Sequence, residues 1–405
     1  MLLVLLALAA CVGKGTVSSP VTPSVPVSAQ SPSSCAGVQP QLLTLQPLTT
    51  VTLAPTPTFR SGQALPLGDL RMMTATTGWA IAGERLVRTV DGGAHWRDVT
   101  PSALHDVRSL LQSRFLSDSV GWVWTVQSGT TSLFRTTNGG QTWQQGAVFH
   151  SSGYVSLTFL NAQDGWALVD SPGSAGGTDV DLCRTSDGGV TWSMLATTGT
   201  AAQPGSIPAA GKKGGLSFLN PSTGWMGRLL DSETEVMVTH DGGSTWQTQP
   251  LPFQQDGSEH LFYIGPPFFF NEHEGVLWVS VLSQTQQALS QLLYLTHDGG
   301  ASWQSIPPLA YDALTYFSDA RHGWMLNRMW VNGGSSLQTT LSTTSDGGQH
   351  WNALPGSAAV DGISELDFLS STLGWALSRA YNGAVTLLKT DDGGRTWAQV
   401  TPLLL

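Results

Sequence analysis

Apolar residues fall along this chain in short runs divided by turn-forming residues, and no long stretch keeps a helical period of 3.6. Runs such as Leu86-Val87-Arg88, Leu292-Leu293-Tyr294-Leu295 and Thr386-Leu387-Leu388-Lys389 favour extended backbone. Each leads into a Thr-x-Asp-Gly-Gly turn, then a tryptophan and another strand-like run. Asp-Gly-Gly between two such runs has the composition of a tight hairpin, since its glycines reach backbone angles that a Cβ resists. The acidic oxygen can accept from N–H groups of its own turn, and the leading Thr hydroxyl adds a second local bond. The turn therefore reads as a self-contained clasp that needs no ligand.

The clasp occurs seven times, about every 50 residues, which marks a repeat architecture. Its acidic slot holds Asp91, Asn138, Asp187, Asp241, Asp298, Asp346 and Asp392. Its closing tryptophans are Trp96, Trp143, Trp192, Trp246, Trp303, Trp351 and Trp397. A second marker precedes six of the clasps: Gly78-Trp79, Gly121-Trp122, Gly165-Trp166, Gly224-Trp225, Gly323-Trp324 and Gly374-Trp375. The fifth unit departs, reading Gly275-Val276-Leu277-Trp278. An apolar run ending in Phe or Leu usually stands before the glycine, as in Leu157-Thr158-Phe159-Leu160. One unit thus reads strand, short turn, Gly-Trp strand, variable loop, strand, clasp, strand. Four antiparallel strands per unit are the makeup of a propeller blade, so the expected fold is all-β, a seven-bladed β-propeller of four-stranded antiparallel blades. Fourteen of the sixteen tryptophans occupy the two repeated slots and are assigned to core packing.

The clasp resembles the Asp-box, or BNR repeat, of pattern Ser/Thr-x-Asp-x-Gly-x-Thr-Trp. The longer unit, with its Gly-Trp-Ala strand, resembles the repeats of the photosystem II stability and assembly factor family over residues 65 to 401 or so. Sialidases, xyloglucanases and sortilin-type receptors also carry Asp-boxes, placed away from their catalytic centres. The resemblance implies a propeller of the sialidase-like superfamily and a chaperone-like role in assembling a photosynthetic membrane complex.

The chain opens on an apolar run, Met1 to Ala10, too short to span a bilayer as a helix and fitting a signal-peptide core. Leu8-Ala9-Ala10-Cys11 matches the bacterial lipobox, so residues 1–11 are expected to form a lipoprotein-type signal ending at a lipidated Cys11. No Lys or Arg precedes the run, and a simple secretory signal is the alternative. Residues 12–40 are rich in Ser, Pro, Val and Thr with almost no charge, a disordered tether. Residues 41–405 are assigned to the propeller, with Gln41 to Pro55 as either a ring-closing strand or the end of the tether. The expected location is the outer face of the cytoplasmic membrane, reached through the lipid alone. Besides Cys11 there are only Cys35 and Cys183, left as a disulfide or as two thiols.

Only 11% of residues are charged and the net charge is −10, which argues against nucleic acid, whose phosphates need clustered Lys and Arg. No cofactor is implied. Histidines 95, 240, 297 and 350 occupy clasp positions rather than converging on a metal. In a four-stranded blade the clasps and the short turns before Gly-Trp share one face. The long loops share the other: Ser171 to Thr178, Thr197 to Gly214, Pro250 to Pro267, Ser283 to Ser290 and Asn332 to Ser336. Variable loops on a rigid scaffold are where binding resides. The candidate binding residues are Phe253, Asp256, Glu259, His260, Phe262 and Tyr263, with Arg328 and Trp330 as further anchors, Trp and Arg being frequent interface hot spots. Core capping is the alternative for these aromatics.

The sequence therefore suggests a monomeric, non-enzymatic scaffold that binds a protein or a surface polysaccharide. A sialidase would need three arginines, a Tyr nucleophile and acidic partners, and here Phe59-Arg60 is followed by Ser61 instead of the Ile-Pro of the sialidase opening. The competing reading is a glycosidase using two carboxylates on the loop-rich face, with Asp170, Asp231, Glu233, Asp256 and Glu259 available.

Overall fold

The computed structural model describes residues 60–104, 110–127, 129–150, 155–170, 179–199, 206–231, 233–253, 260–310, 313–331, 336–355, 362–380 and 382–405. Among them the regular structure is β-strand apart from one 3-10 turn, Ser102–Leu104. Each sequence unit contributes antiparallel strands in chain order. The first gives Leu67–Met72, Gly78–Ala82, Arg85–Thr89 and His95–Asp98, and the seventh gives Ile363–Phe368, Gly374–Arg379, Val385–Thr390 and Ala398–Val400.

The described strands form six hydrogen-bonded sheets rather than seven separate ones. Units four and five are fused into one ten-stranded sheet by an additional strand, Leu261–Ile264. That strand pairs with the second strand of unit four (Leu229↔Tyr263) and with the second strand of unit five (Tyr263↔Ser280). The first sheet also gains a fifth strand, Leu403–Leu404, which runs parallel to His95–Asp98. The strand that completes the first sheet therefore comes from the C-terminal end; residues 41–55, the sequence candidate for that role, lie outside the described residues, as do Cys11 and the tether.

Seven apolar clusters hold the sheets together, each shared between consecutive units. Trp79 of unit one meets Phe115 of unit two, and Trp122 of unit two meets Phe159 of unit three. The sequence continues unit by unit until Trp375 and Leu377 of unit seven pack with Leu67 and Trp96 of unit one. The core thus runs from the last unit back into the first.

The clasps explain why the repeat keeps its residue types. Each leading threonine is buried, 4% exposed or less, and its hydroxyl is fully used. Thr390 Oγ1 donates to Asp392 Oδ1 at 2.8 Å and accepts from Gly394 N at 2.9 Å. Asp392 in turn accepts from the backbone and the hydroxyl of Thr396. Both glycines have positive φ, 74° and 91° in this clasp, so a side chain there is strained. The first glycine N–H reaches the short turn before Gly-Trp in all seven units, from Gly92 to Thr76 O through Gly393 to Thr372 O, which brings clasp and turn to the same side.

Candidate functional site

The Gly-Trp tryptophan joins one unit to the next. Its indole stacks on the aromatic ring that ends the following unit's first strand: Trp122 on Phe159 at 3.8 Å, Trp166 on Phe218 at 3.6 Å and Trp324 on Phe368 at 3.6 Å. Its Nε1 donates to the first clasp glycine of that unit, Trp122 to Gly188 O, Trp166 to Gly242 O, Trp324 to Gly393 O and Trp375 to Gly92 O. In unit four Gln249 acts as relay, accepting from Trp225 and donating to Gly300 O. Trp278 of the divergent unit donates instead to Thr315. Its displacement by two residues keeps it on the same strand face, as the twofold alternation of a strand requires.

The loop-face candidates fall apart as a group. Phe262 is 1% exposed, packed edge-on against half-buried Phe253 at 5.0 Å, and presents no surface to a ligand. Leu261–Ile264 is a sheet-bridging strand, so only Tyr263 of that run stays exposed, at 43%. His260 lies half-buried beside Phe262. Arg328 donates to Ile363 O of unit seven, a contact between units. Trp330 sits in the strand Gly323–Val331 across from Leu337. Asp256 and Glu259 lie outside the described residues. Of the remaining carboxylates considered for hydrolysis, Asp231 and Glu233 are exposed and Asp170 half-buried near the variable loops. Among the described residues no group of three or more His, Cys, Asp and Glu converges as a metal site would require.

The first strands of the units bring charges together that the repeat pattern did not single out. Directly across from each Gly-Trp tryptophan stand Arg71, Arg114, Thr158, Ser217, Tyr316 and Asp367, with Phe268 across from Val276 in unit five. These are equivalent positions, one per unit. Asp367 is buried and accepts from Met72 N, from Arg71 Nη1 at 3.2 Å and from Tyr316 OH at 3.0 Å. Arg71 Nη1 also lies 3.1 Å from Tyr316 OH, so units one, six and seven meet at one point. Glu365 accepts from Leu70 N at 3.2 Å and faces Arg379 at 3.8 Å. Asp69, held at φ 51° in a bulge of the first strand, faces Ser113 of unit two at 3.5 Å.

The electrostatics follow from crowding. Burial, with Glu365 adding to it, pushes the Asp69 carboxyl up, and burial also raises Asp367 against the pull of Arg71. Burial pushes the Tyr316 hydroxyl up to about 12, with Asp367 adding to the effect. Burial opposes the charge on Arg71, but Tyr316 and Asp367 hold it above its ordinary value. Arg114 is lowered, by burial and by Arg71. The signal that could have exposed this cluster is present in the sequence: aligning the units on Gly-Trp places these residues in one column, seven residues before the glycine. A separate cavity of about 210 Å³ opens beside the Trp324–Gly393 junction, lined by His322, Trp324, Thr344, Asn352, Gly393 and Arg395 among others, with no acidic side chain in its wall.

No family model matches the chain. It is 23% identical over 267 residues, 60% of its own length and 76% of the other's, to the photosystem II assembly lipoprotein Ycf48 of Synechococcus sp. (strain CC9902). Its structure resembles the GH74 enzyme of Niastella koreensis (TM-score 0.55, 14% identity, 86% of this chain covered) and the GH74 xyloglucanase of Xanthomonas campestris (TM-score 0.56, 13% identity, 85% covered). The chain spans 55% of each of those enzymes, and at such identity the likeness concerns fold alone. The chain is a β-propeller whose repeats resemble those of photosystem II assembly factors.

Proposed function

We propose that the chain is an exported, lipid-anchored, seven-bladed propeller that serves as a non-enzymatic binding scaffold of the assembly-factor kind. The observation that carries this reading is the likeness to the photosystem II assembly lipoprotein over 60% of the chain. Seven core clusters, each shared by neighbouring units, support seven blades, with units four and five joined by the strand Leu261–Ile264. The lipobox around Cys11 supports the anchor, and Ycf48 is itself named a lipoprotein. Seven clasp side chains, Asn138 among them, are used in their own turns, which leaves them no role in turnover.

A glycosidase is the second reading, favoured by the fold likeness to two GH74 enzymes. In this chain Asp367 and Glu365 already accept from backbone N–H groups of the first strand, so they are committed to structure. The experiment is a hydrolysis panel of neutral and acidic glycans on the purified full chain, with Asp231→Asn and Glu233→Gln, at the exposed carboxylates, beside it. The scaffold reading expects no turnover. Turnover lost in one of these variants establishes the glycosidase instead. Co-purification of a tagged full chain from its native membrane then identifies the partner.

A further inference from the structure

In the first three units the residue across from the Gly-Trp tryptophan on the third strand is arginine, and in the seventh it is Lys389. Each puts its cation over that indole: Arg88 at 5.4 Å from the Trp79 ring centre, Arg135 at 5.8 Å from Trp122, Arg184 at 5.3 Å from Trp166 and Lys389 at 5.6 Å from Trp375. The three arginines also lie against the first clasp glycine of the next unit, Gly139, Gly188 and Gly242. Buried Val238 and Leu293 take this place in units four and five. In unit six it is Thr343, across from Trp324. The shorter side chain does not fill the place, and the cavity of about 210 Å³ opens there. Its wall includes Trp324, Thr343 and Gly393, the counterparts of the groups around each arginine.

The charge around this cavity is the reverse of a cation site. In unit three the residue before Gly-Trp is Asp164, which pairs with Arg184 at 3.4 Å. The same position in unit six is His322, and Arg395 of the seventh clasp joins it in the wall, with no acidic side chain there. Asp319 holds His322 through Nδ1 at 2.9 Å, which leaves Nε2 for a ligand. Arg395 gives one Nη1–H to Asp392 O at 3.0 Å and keeps its remaining guanidinium donors. Phe368 covers one face of Trp324 at 3.6 Å; the opposite face is the one its counterparts give to a cation. An apolar cavity of about 150 Å³ takes up benzene, so this volume suits one ring with a small substituent. We propose that the cavity between units six and seven binds a small aromatic carboxylate, with the carboxylate on His322 and Arg395 and the ring on Trp324. Charge-assisted hydrogen bonds hold the anion, and stacking on the indole holds the ring. The site lies among the clasps, apart from the loops considered for partner binding, and does not rest on the scaffold reading.

The test is titration of the full chain with benzoate, benzamide, benzamidine, acetate and a peptide acid ending in phenylalanine, followed by ligand-observed NMR. Benzoate is expected to bind. Benzamide, which lacks the charge, and acetate, which lacks the ring, are expected to bind about tenfold more weakly or worse. Thr343→Arg is expected to abolish benzoate binding without lowering the unfolding temperature, because its guanidinium takes the place that Arg88 holds over Trp79. Arg395→Gln, at an exposed position, is expected to weaken benzoate about tenfold and leave unfolding nearly unchanged. No binding of benzoate, unchanged affinity in Thr343→Arg or in Arg395→Gln, or tighter binding of benzamidine would overturn the assignment. Tighter binding of the peptide, in competition with benzoate, would overturn the small-molecule ligand in favour of a chain terminus.

Discussion

The indole Nε1 of Trp375 donates to the carbonyl oxygen of Gly92 at 3.1 Å, so a tryptophan in the last repeat fastens the clasp of the first. The same bond joins Trp122 to Gly188, Trp166 to Gly242 and Trp324 to Gly393, always from one unit to the next. The clasp is therefore more than a turn. Its glycine carbonyl is the acceptor that registers neighbouring sheets.

Trp375→Phe keeps the ring and removes the donor, which leaves the half-buried Gly92 carbonyl short of a partner. It should cost about 1 kcal/mol, and Trp375→Ala about 3–5 kcal/mol. Trp79, buried and stacked on Phe115 at 4.0 Å, has no acceptor for its Nε1 in the described structure. Trp79→Phe should therefore cost less than Trp375→Phe. Thermal or denaturant unfolding of the variants measures the difference.

Acid should loosen the clasps in a defined window. The Ser302 hydroxyl, then its N–H, holds Asp298 at about 2, and the Thr396 hydroxyl, then its N–H, does the same for Asp392. Carboxyls held below the unfolded value of about 4 stabilise the fold above that value. That contribution is lost as pH falls from about 4 to about 2. The unfolding temperature should drop across this window, and by less when Asp298 and Asp392 are both Asn, as Asn138 already is in the second clasp.

The threonine hydroxyl is the buried half of the same device. Thr390→Val keeps the shape but leaves the N–H groups of Asp392 and Gly394 without Oγ1. The expected loss is about 1–3 kcal/mol by denaturant unfolding, against a few tenths for Thr390→Ser.

Cys183 is buried and disulfide-bonded, and its partner lies outside the described residues. With lipid on Cys11, Cys35 is the cysteine left to pair with it. Peptide mapping without reductant should recover Cys183 joined to Cys35 and a lipidated Cys11. A Cys11–Cys183 peptide would rule out the lipid anchor.

Much of this fold is legible in the chain because the repeat states its own hydrogen bonds: Thr, Asp and the two glycines in each clasp, and Gly-Trp before it. What escaped is what breaks the repeat. Leu261-Phe262-Tyr263-Ile264 is a β-favouring run, but it falls outside the period, so it read as a binding loop rather than as the strand joining units four and five. The charged cluster escaped for the opposite reason. Arg71, Arg114, Tyr316 and Asp367 hold equivalent places in four units, and residues that differ at a shared position leave no motif. Their meeting depends on strands more than two hundred residues apart coming together, which only the closure of the sheets provides.

That closure is the claim on which the rest depends, and Met72 reports on it. Its N–H donates to Asp367 of the last unit, and the neighbouring Leu70 N–H donates to Glu365. Amide hydrogen exchange at Leu70 and Met72 in the full chain is the direct measurement. A closed circuit of sheets predicts protection close to that of Leu86 and Val87 in the core, lost together in an Asp367→Ala, Glu365→Ala double variant. Exchange of both amides at the unprotected rate, with Leu86 still protected, would show that the first and last units do not meet.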